Sequence, residues 1–106
     1  MTWNLQKVNQ NGVTQGPIAD FNLFVCNYQD QQHFAYMAET GIIWDSWYDG
    51  QNGTWNLQQI NQSGVTQGPK AYIAGSLFVC NYQDQLHFAY MDETGAIWDS
   101  WYDGQK

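Results

Sequence analysis

The chain is one module written twice, and this internal repeat restricts its fold more than any other feature of the sequence. The copies align without gaps over two pairs of segments: 2–17 with 54–69, and 23–51 with 77–105. Of these 45 aligned positions 39 are identical, and the only length change is a two-residue insertion where 18–22 faces 70–76. A repeated unit of this length is typical of repeat architectures, in which one unit alone is too short to bury its own core. We therefore divide the chain into a first repeat, 1–52, and a second, 53–106, which together form one segment of a larger fold.

Composition narrows the class of partner. The chain of 106 residues has a net charge of -7, only 3 Lys and Arg together, and 17% aromatic residues. Nucleic acid is excluded as a partner, because neutralising phosphates requires clustered Lys and Arg. Trp, Tyr, Asn and Gln supply flat apolar faces and neutral hydrogen-bonding groups, which suit sugars and are also ordinary constituents of β-sheets.

The N-terminal residues have neither the basic start nor the apolar run of a signal peptide. No apolar stretch is long enough to insert into a membrane. We expect a soluble protein made in the cytosol, and leave its release from the cell open. Cys26 and Cys80 occupy equivalent positions of the two repeats. Since a rotation between repeats would hold the thiols apart, we predict free, buried cysteines rather than a disulfide.

Each repeat predicts four short antiparallel strands and no helix, because apolar residues alternate or run in short blocks between turns rich in Gly, Asn and Asp. In chain order the predicted strands are D at 2–9, A at 23–28, B at 32–38, C at 42–49 and the second D at 54–61, followed by copies of A, B and C that end near 103. This pattern predicts an all-β fold, a β-propeller with two four-stranded blades per chain.

The order of the strands predicts self-association. The second D strand can complete the first blade, whereas the second blade lacks its outer strand within the chain. We expect 2–9 of one subunit to pair with 97–103 of a neighbour, so that no sheet edge stays open. A homotrimer with six blades is preferred over a dimer with four or a tetramer with eight. The alternative is that the sequence is a fragment of a longer chain.

The repeat resembles a known family in three quoted motifs. They are Gln31-Gln32-His33-Phe34-Ala35-Tyr36, then Gly41-Ile42-Ile43-Trp44-Asp45-Ser46-Trp47-Tyr48-Asp49-Gly50, then Trp55-Asn56-Leu57-Gln58-Gln59-Ile60-Asn61. These motifs resemble the repeats of bacterial β-propeller lectins of the Photorhabdus lectin type, over essentially the whole chain. The resemblance implies multivalent binding of fucose and related, including O-methylated, sugars in pockets between blades.

A more distant similarity is to the two-blade fucose lectins of Ralstonia and Burkholderia, whose short chains trimerise into six blades. Those proteins use an Arg, an acidic residue and a Trp at each site. This chain has no Arg, so only the architecture carries over. The sugar specificity and the relative strength of the two blade junctions stay open.

Candidate sugar-binding residues are those that can stack on a sugar face or hydrogen-bond its hydroxyls, and each also has a structural interpretation as core. They are Trp44, Trp47, Trp55, Asp45, His33 and Tyr36, with Trp98, Trp101, Trp3, Asp99, His87 and Tyr90 as their copies. Trp55 and Trp3, at the start of the D strands beside an Asp-Gly turn, are expected to be the more exposed.

The spacing of His and Cys supports no metal site, and no cofactor is expected. Catalysis is disfavoured, because every ionisable candidate occurs twice in matching surroundings, which suits multivalent binding instead. The alternative function is a structural or protein-binding propeller whose aromatic residues are all core. A glycosidase is a weaker third hypothesis, and it would need paired carboxylates in one pocket.

Overall fold

The computed structural model describes residues 2–72, 75 and 77–103, and all its regular elements are β-strands. The strands are β1 (Phe21–Tyr28), β2 (Gln31–Met37), β3 (Ile43–Asp49), β4 (Thr54–Gln59), β5 (Leu77–Tyr82), β6 (Gln85–Met91) and β7 (Ile97–Tyr102). They form two antiparallel sheets with the orders β1-β2-β3-β4 and β5-β6-β7. The all-β prediction is confirmed, and so is the prediction that the D strand of the second repeat completes the first sheet.

Tight turns join the first two strands of each sheet. Gln29 and Asp30 have φ angles of 50° and 61°, and Gln83 and Asp84 have 51° and 61°. Two consecutive positive φ angles are typical of the two-residue hairpin loop whose twist matches that of paired strands. The repeated Tyr-Gln-Asp-Gln sequence therefore fixes the same hairpin register in both sheets.

The hydrophobic core lies between the two sheets. Side chains alternate between the faces of a strand, so one face of each sheet contributes to this junction. On β2 the residues that face the junction are His33, Ala35 and Met37, and on β6 they are Leu86, Phe88 and Tyr90. All six side chains are buried. Each large apolar side chain buried here stabilises the fold by roughly 1.5 to 3 kcal/mol. The opposite face of each sheet points away from the junction.

Two predictions are corrected. Residues 2–8 form no strand in the single chain, which corrects the predicted D strand at 2–9, whereas the three strands of the second sheet among the described residues are those expected of a blade without its outer strand. The reason is that a strand needs a hydrogen-bonding neighbour, and the equivalent β4 finds one in β3. The cysteines are free as predicted, but Cys26 is only half-buried and Cys80 is exposed, because Cys80 shares with His87 the face of its sheet that points away from the junction.

The strand bounds otherwise agree with the predicted ones to within two residues. Residues 73, 74 and 76, in the variable loop, lie outside the described residues, as do the last positions of the second repeat. No described segment forms a helix that could span a membrane. Within the described ranges, no three His, Cys, Asp or Glu side chains are grouped as a metal site would require.

Candidate functional site

A His, an Asp and a Trp come together on the junction face of the first sheet because of strand register. Trp47 is the direct cross-strand partner of His33, and Asp45 is the partner of Ala35. Residues two apart on a strand share a face, so the side chains of all three point to the same side. The hairpin between β2 and β3 thus fixes the group without any loop residue.

The three side chains are in direct contact. His33 Nδ1 lies 2.7 Å from Asp45 Oδ2, and the imidazole stacks on the Trp47 ring with centroids 5.3 Å apart and planes 19° apart. Asp45 is fully buried and His33 is 4% exposed. Burial raises the pKa of the Asp45 carboxyl above its ordinary value of 3.8, and the hydrogen bond from His33 partly offsets that shift.

Two polar atoms of this group have no hydrogen-bond partner among the described residues. They are His33 Nε2 and Asp45 Oδ1, both buried. With Nδ1–H donated to the carboxylate, Nε2 of a neutral imidazole is an acceptor, and Oδ1 is a second acceptor. Because unpaired buried polar groups are costly, the pair is suited to receive hydroxyl donors from a ligand.

A cleft of about 600 Å³ opens between the two sheets beside this group. On one side it is lined by His33, Asp45 and Trp47. The facing wall is contributed by the second sheet and is largely apolar, with Leu86, Phe88, Ser100, Trp101 and Tyr102. A concave, mostly apolar site with a few convergent polar atoms is what small-molecule binding requires.

The second repeat carries the same group on the outward face of the second sheet. His87 Nδ1 lies 2.8 Å from Asp99 Oδ2, and the His87 and Trp101 rings stack at 5.8 Å and 16°. Here the surroundings are open: the Asp99 side chain is 44% exposed, against 0% for Asp45. His87 Nε2 lies 3.1 Å from Gln85 Oε1. The geometry of the His, Asp and Trp group is therefore intrinsic to the hairpin, whereas its exposure and the partner of the second imidazole nitrogen differ between the two copies.

The other predicted site residues, apart from Trp3, which is in no strand, lie on the opposite faces of the sheets. Tyr36 pairs with Trp44 across β2 and β3, and Trp55 packs on Phe34 and Tyr48. Their copies differ in exposure: Tyr90 is buried at the junction, Trp98 is 44% exposed and Trp3 is 89% exposed. The twelve predicted residues thus divide into two sets, and only the His, Asp and Trp set forms a polar group in the cleft.

Several cleft residues were not predicted from the sequence. Gln58 and Ile60, from β4 and the residue after it, and Thr66, from the following loop, line the cleft. Tyr28 sits edge-on to His33 with ring centroids 6.1 Å apart and donates its hydroxyl hydrogen bond to the Asp84 carbonyl, 3.0 Å away. Repetition could not single these positions out, because 39 of the 45 aligned positions are identical, and their orientation depends on how the sheets pack.

Comparisons with known proteins add no relative: the chain matches no protein-family model, no curated protein and no solved structure.

Proposed function

We propose that the chain is a multivalent carbohydrate-binding lectin that recognises fucose or a related, including O-methylated, sugar in clefts between β-propeller blades. The observation that carries the proposal is the cleft beside His33 and Asp45, with two buried polar atoms that have no hydrogen-bond partner among the described residues. Sugar hydroxyls are donors of the required kind, and the facing apolar wall suits the C–H face of a sugar ring.

The two sheets act as neighbouring blades in this proposal, and further copies of the chain complete the ring. Three chains would give six blades and a mass of about 37 kDa, three times 12.2 kDa. Repeated sites on one rigid ring would gain avidity on a surface that carries many copies of a glycan. The resemblance to propeller lectins supports the same arrangement.

The number of carboxyl groups in the cleft favours binding without catalysis. Asp45 is the only acidic residue among those that line it in the described chain. Glycoside hydrolysis by the usual mechanisms uses two carboxyl groups on either side of the scissile bond. The cleft is therefore suited to hold a sugar, and we assign no reaction and no cofactor to it.

A glycan array followed by calorimetry tests the proposal. We expect signals on fucosylated or methylated glycans that free L-fucose abolishes. Replacing both Asp45 and Asp99 by Asn should reduce binding at least tenfold, because an amide supplies one acceptor oxygen where the carboxylate supplied two. The variant with both Glu39 and Glu93 replaced by Gln is the control, since these exposed turn residues lie outside the cleft.

Silence on the array at high protein concentration, with the fold intact by circular dichroism, would refute the lectin proposal. That result would favour the structural or protein-binding module instead.

A further inference from the structure

Both halves of one missing contact are exposed on the same chain. Leu5 is 100% exposed and Trp3 is 89% exposed in the unpaired segment 2–7, while at the free edge β7 the side chain of Ile97 is 83% exposed. Its equivalent in the first sheet, Ile43, is fully buried because it faces the core between the two sheets, whereas Ile97 is on the outward face of the second sheet. By alignment of the repeats, the segment and β7 are equivalent to β4 and β3, but they are separated.

The region that follows the unpaired segment already has the fold of its copy. The amides of Val13 and Thr14 donate to the carbonyls of Lys7 and Val8 at 2.8 Å each. Their equivalents, Val65 and Thr66, donate to Gln59 and Ile60 at 2.9 Å each. The segment 2–7 is thus held at one end by a turn equivalent to the one that follows β4. This anchoring reduces the conformational entropy that the segment would lose on pairing.

We propose that segment 2–7 of a second copy of this chain pairs with β7 in the register of β4 on β3. In that register Ser46 faces Leu57 and Trp44 faces Gln59. The equivalent pairs are Ser100 with the second copy's Leu5, and Trp98 with the second copy's Lys7. The contact runs head to tail, so repeating it closes a ring or continues a chain of copies.

A cavity at the free edge matches the second copy's Leu5. It has a volume of about 270 Å³ and is lined by Gly68, Tyr90, Trp98 and Ser100 among others. In the first sheet the equivalent space beside Gly16 and Tyr36 is occupied by Leu57, whose Cδ1 lies 3.3 Å from where a Cβ on Gly16 would be. Leu5 would fill the second cavity as Leu57 fills the first.

Charge makes this interface different from the one within the chain. At aligned positions of the two repeats, Lys7 corresponds to Gln59 and Asp92 corresponds to Ala38. In both cases the charged residue is at the new interface and the uncharged residue is at the contact within the chain. Asp92 Oδ2 accepts a hydrogen bond from Trp98 Nε1 at 2.9 Å, and Trp98 is the residue that Lys7 of the second copy faces. Hydrogen bonds from Thr94 and Trp98 lower the pKa of Asp92 to about 2, so it is ionised at neutral pH.

The same second copy would complete the second site. Its outward face, with Gln32 and Phe34, takes the place that Leu86 and Phe88 have in the cleft within the chain. His87, Asp99 and Trp101 would then line a closed cleft whose far wall carries the Gln32 amide instead of the Leu86 side chain. This step rests on the proposed lectin function, whereas the interface does not.

Native mass spectrometry tests the interface. We expect an assembly of several 12.2 kDa chains, and Leu5→Ser should weaken it by a factor on the order of 10 to 100 through the lost burial of one Leu. Ile18→Ser is the control, because Ile18 is exposed in the chain and its equivalent, Lys70, is exposed at the junction within the chain. A wild-type monomer at high micromolar concentration would overturn the proposal, as would equal effects of the two substitutions.

A double-mutant cycle isolates the charge pair. Lys7→Gln should weaken the assembly by roughly 2- to 5-fold, and should have no effect in the Asp92→Asn background. Lys70→Gln removes the same charge elsewhere and should leave the assembly unchanged. Additive effects of Lys7→Gln and Asp92→Asn would contradict this pairing.

Titration of L-fucose separates the two proposals. Two sites per chain in the assembly and one in the Leu5→Ser monomer would support both the interface and the second site. One site per chain in both would overturn the second site alone. An assembly that binds no sugar would refute the lectin proposal and leave the interface standing.

Discussion

Asn61 and Asn9 occupy the same position in the two repeats but differ in their surroundings. Asn61 is fully buried, and its Oδ1 accepts the Ile43 amide at 2.8 Å while its Nδ2 donates to the carbonyls of Gly41 and Pro69. Asn9 donates to Pro17, the equivalent of Pro69, at 2.9 Å. One side chain thus ties the first sheet to the following loop at the junction.

Removing that side chain should be costly at the first position. Asn61→Ala leaves the buried Ile43 amide without its acceptor and should lower the free energy of unfolding by about 3 kcal/mol. Asn9→Ala should lower it by less than about 1 kcal/mol, because a half-buried carbonyl can be rehydrated. Urea unfolding in the Leu5→Ser background, at a concentration where native mass spectrometry finds the monomer, measures both without assembly. Equal losses would contradict the assigned role of Asn61.

The buried Asp45 predicts a pH dependence of stability. Its pKa is raised in the folded chain, so as the pH rises through the range above 3.8 the unfolded chain gains the negative charge first. The contribution of Asp45 to the free energy of unfolding is therefore largest at low pH and decreases as the pH rises. Urea unfolding from pH 3.5 to 7 should show that the free energy of unfolding of wild type decreases relative to that of Asp45→Asn as the pH rises. The exposed Asp84→Asn is the control, and a flat difference for Asp45→Asn would be inconsistent with this burial.

At the scale of elements, the sequence predicted the strands well because their signals are local. Turn residues and alternation placed strands A, B and C and the second D strand, and the repeat showed that both sheets would be alike. The state of 2–9 was not predictable in this way, since the same residues form β4 in one copy and no strand in the other. What differs is a neighbouring strand, which is a property of the tertiary fold.

The same limit applied to the candidate site. The sequence placed His33, Asp45 and Trp47 on strands, and their chemistry suggested ligand binding. It did not separate them from Tyr36, Trp44 and Trp55, because alternation assigns faces but not which face meets the other sheet. The cleft wall from Leu86 and Phe88 depends on sheet packing.

The β2–β3 and β6–β7 turns test the packing of these elements. Gly41 and Gly95 have φ angles of 83° and 86°, which cost another residue about 1 kcal/mol. A Cβ on Gly41 would also lie 2.5 Å from the Ala71 carbonyl oxygen, whereas one on Gly95 meets nothing within 4 Å. In thermal unfolding of the Leu5→Ser monomer, Gly41→Ala should therefore be the more destabilising by at least about 1 kcal/mol. Similar losses for the two variants would argue against close packing of Ala71 on this turn.

For the whole molecule, the lectin proposal and the interface proposal together predict its apparent affinity for a surface that carries many copies of a glycan. A single cleft within the chain is expected to bind free sugar weakly, and a rigid ring would present several clefts at fixed spacing. Simultaneous engagement raises the apparent affinity without any new contact, commonly by a factor of 100 or more. Disrupting the ring should therefore affect surface binding far more than binding of free sugar.

The Leu5→Ser variant makes that separation measurable, since Leu5 lies outside the cleft and is fully exposed in the chain. Calorimetry with free L-fucose should give the same dissociation constant for the cleft within the chain in wild type and variant. On a densely fucosylated sensor surface, the variant should dissociate roughly 100-fold faster. Ile18→Ser should behave as wild type in both measurements. Equal loss of free-sugar and surface binding by Leu5→Ser would mean that the cleft depends on the second copy, and that avidity is not the source of tight binding.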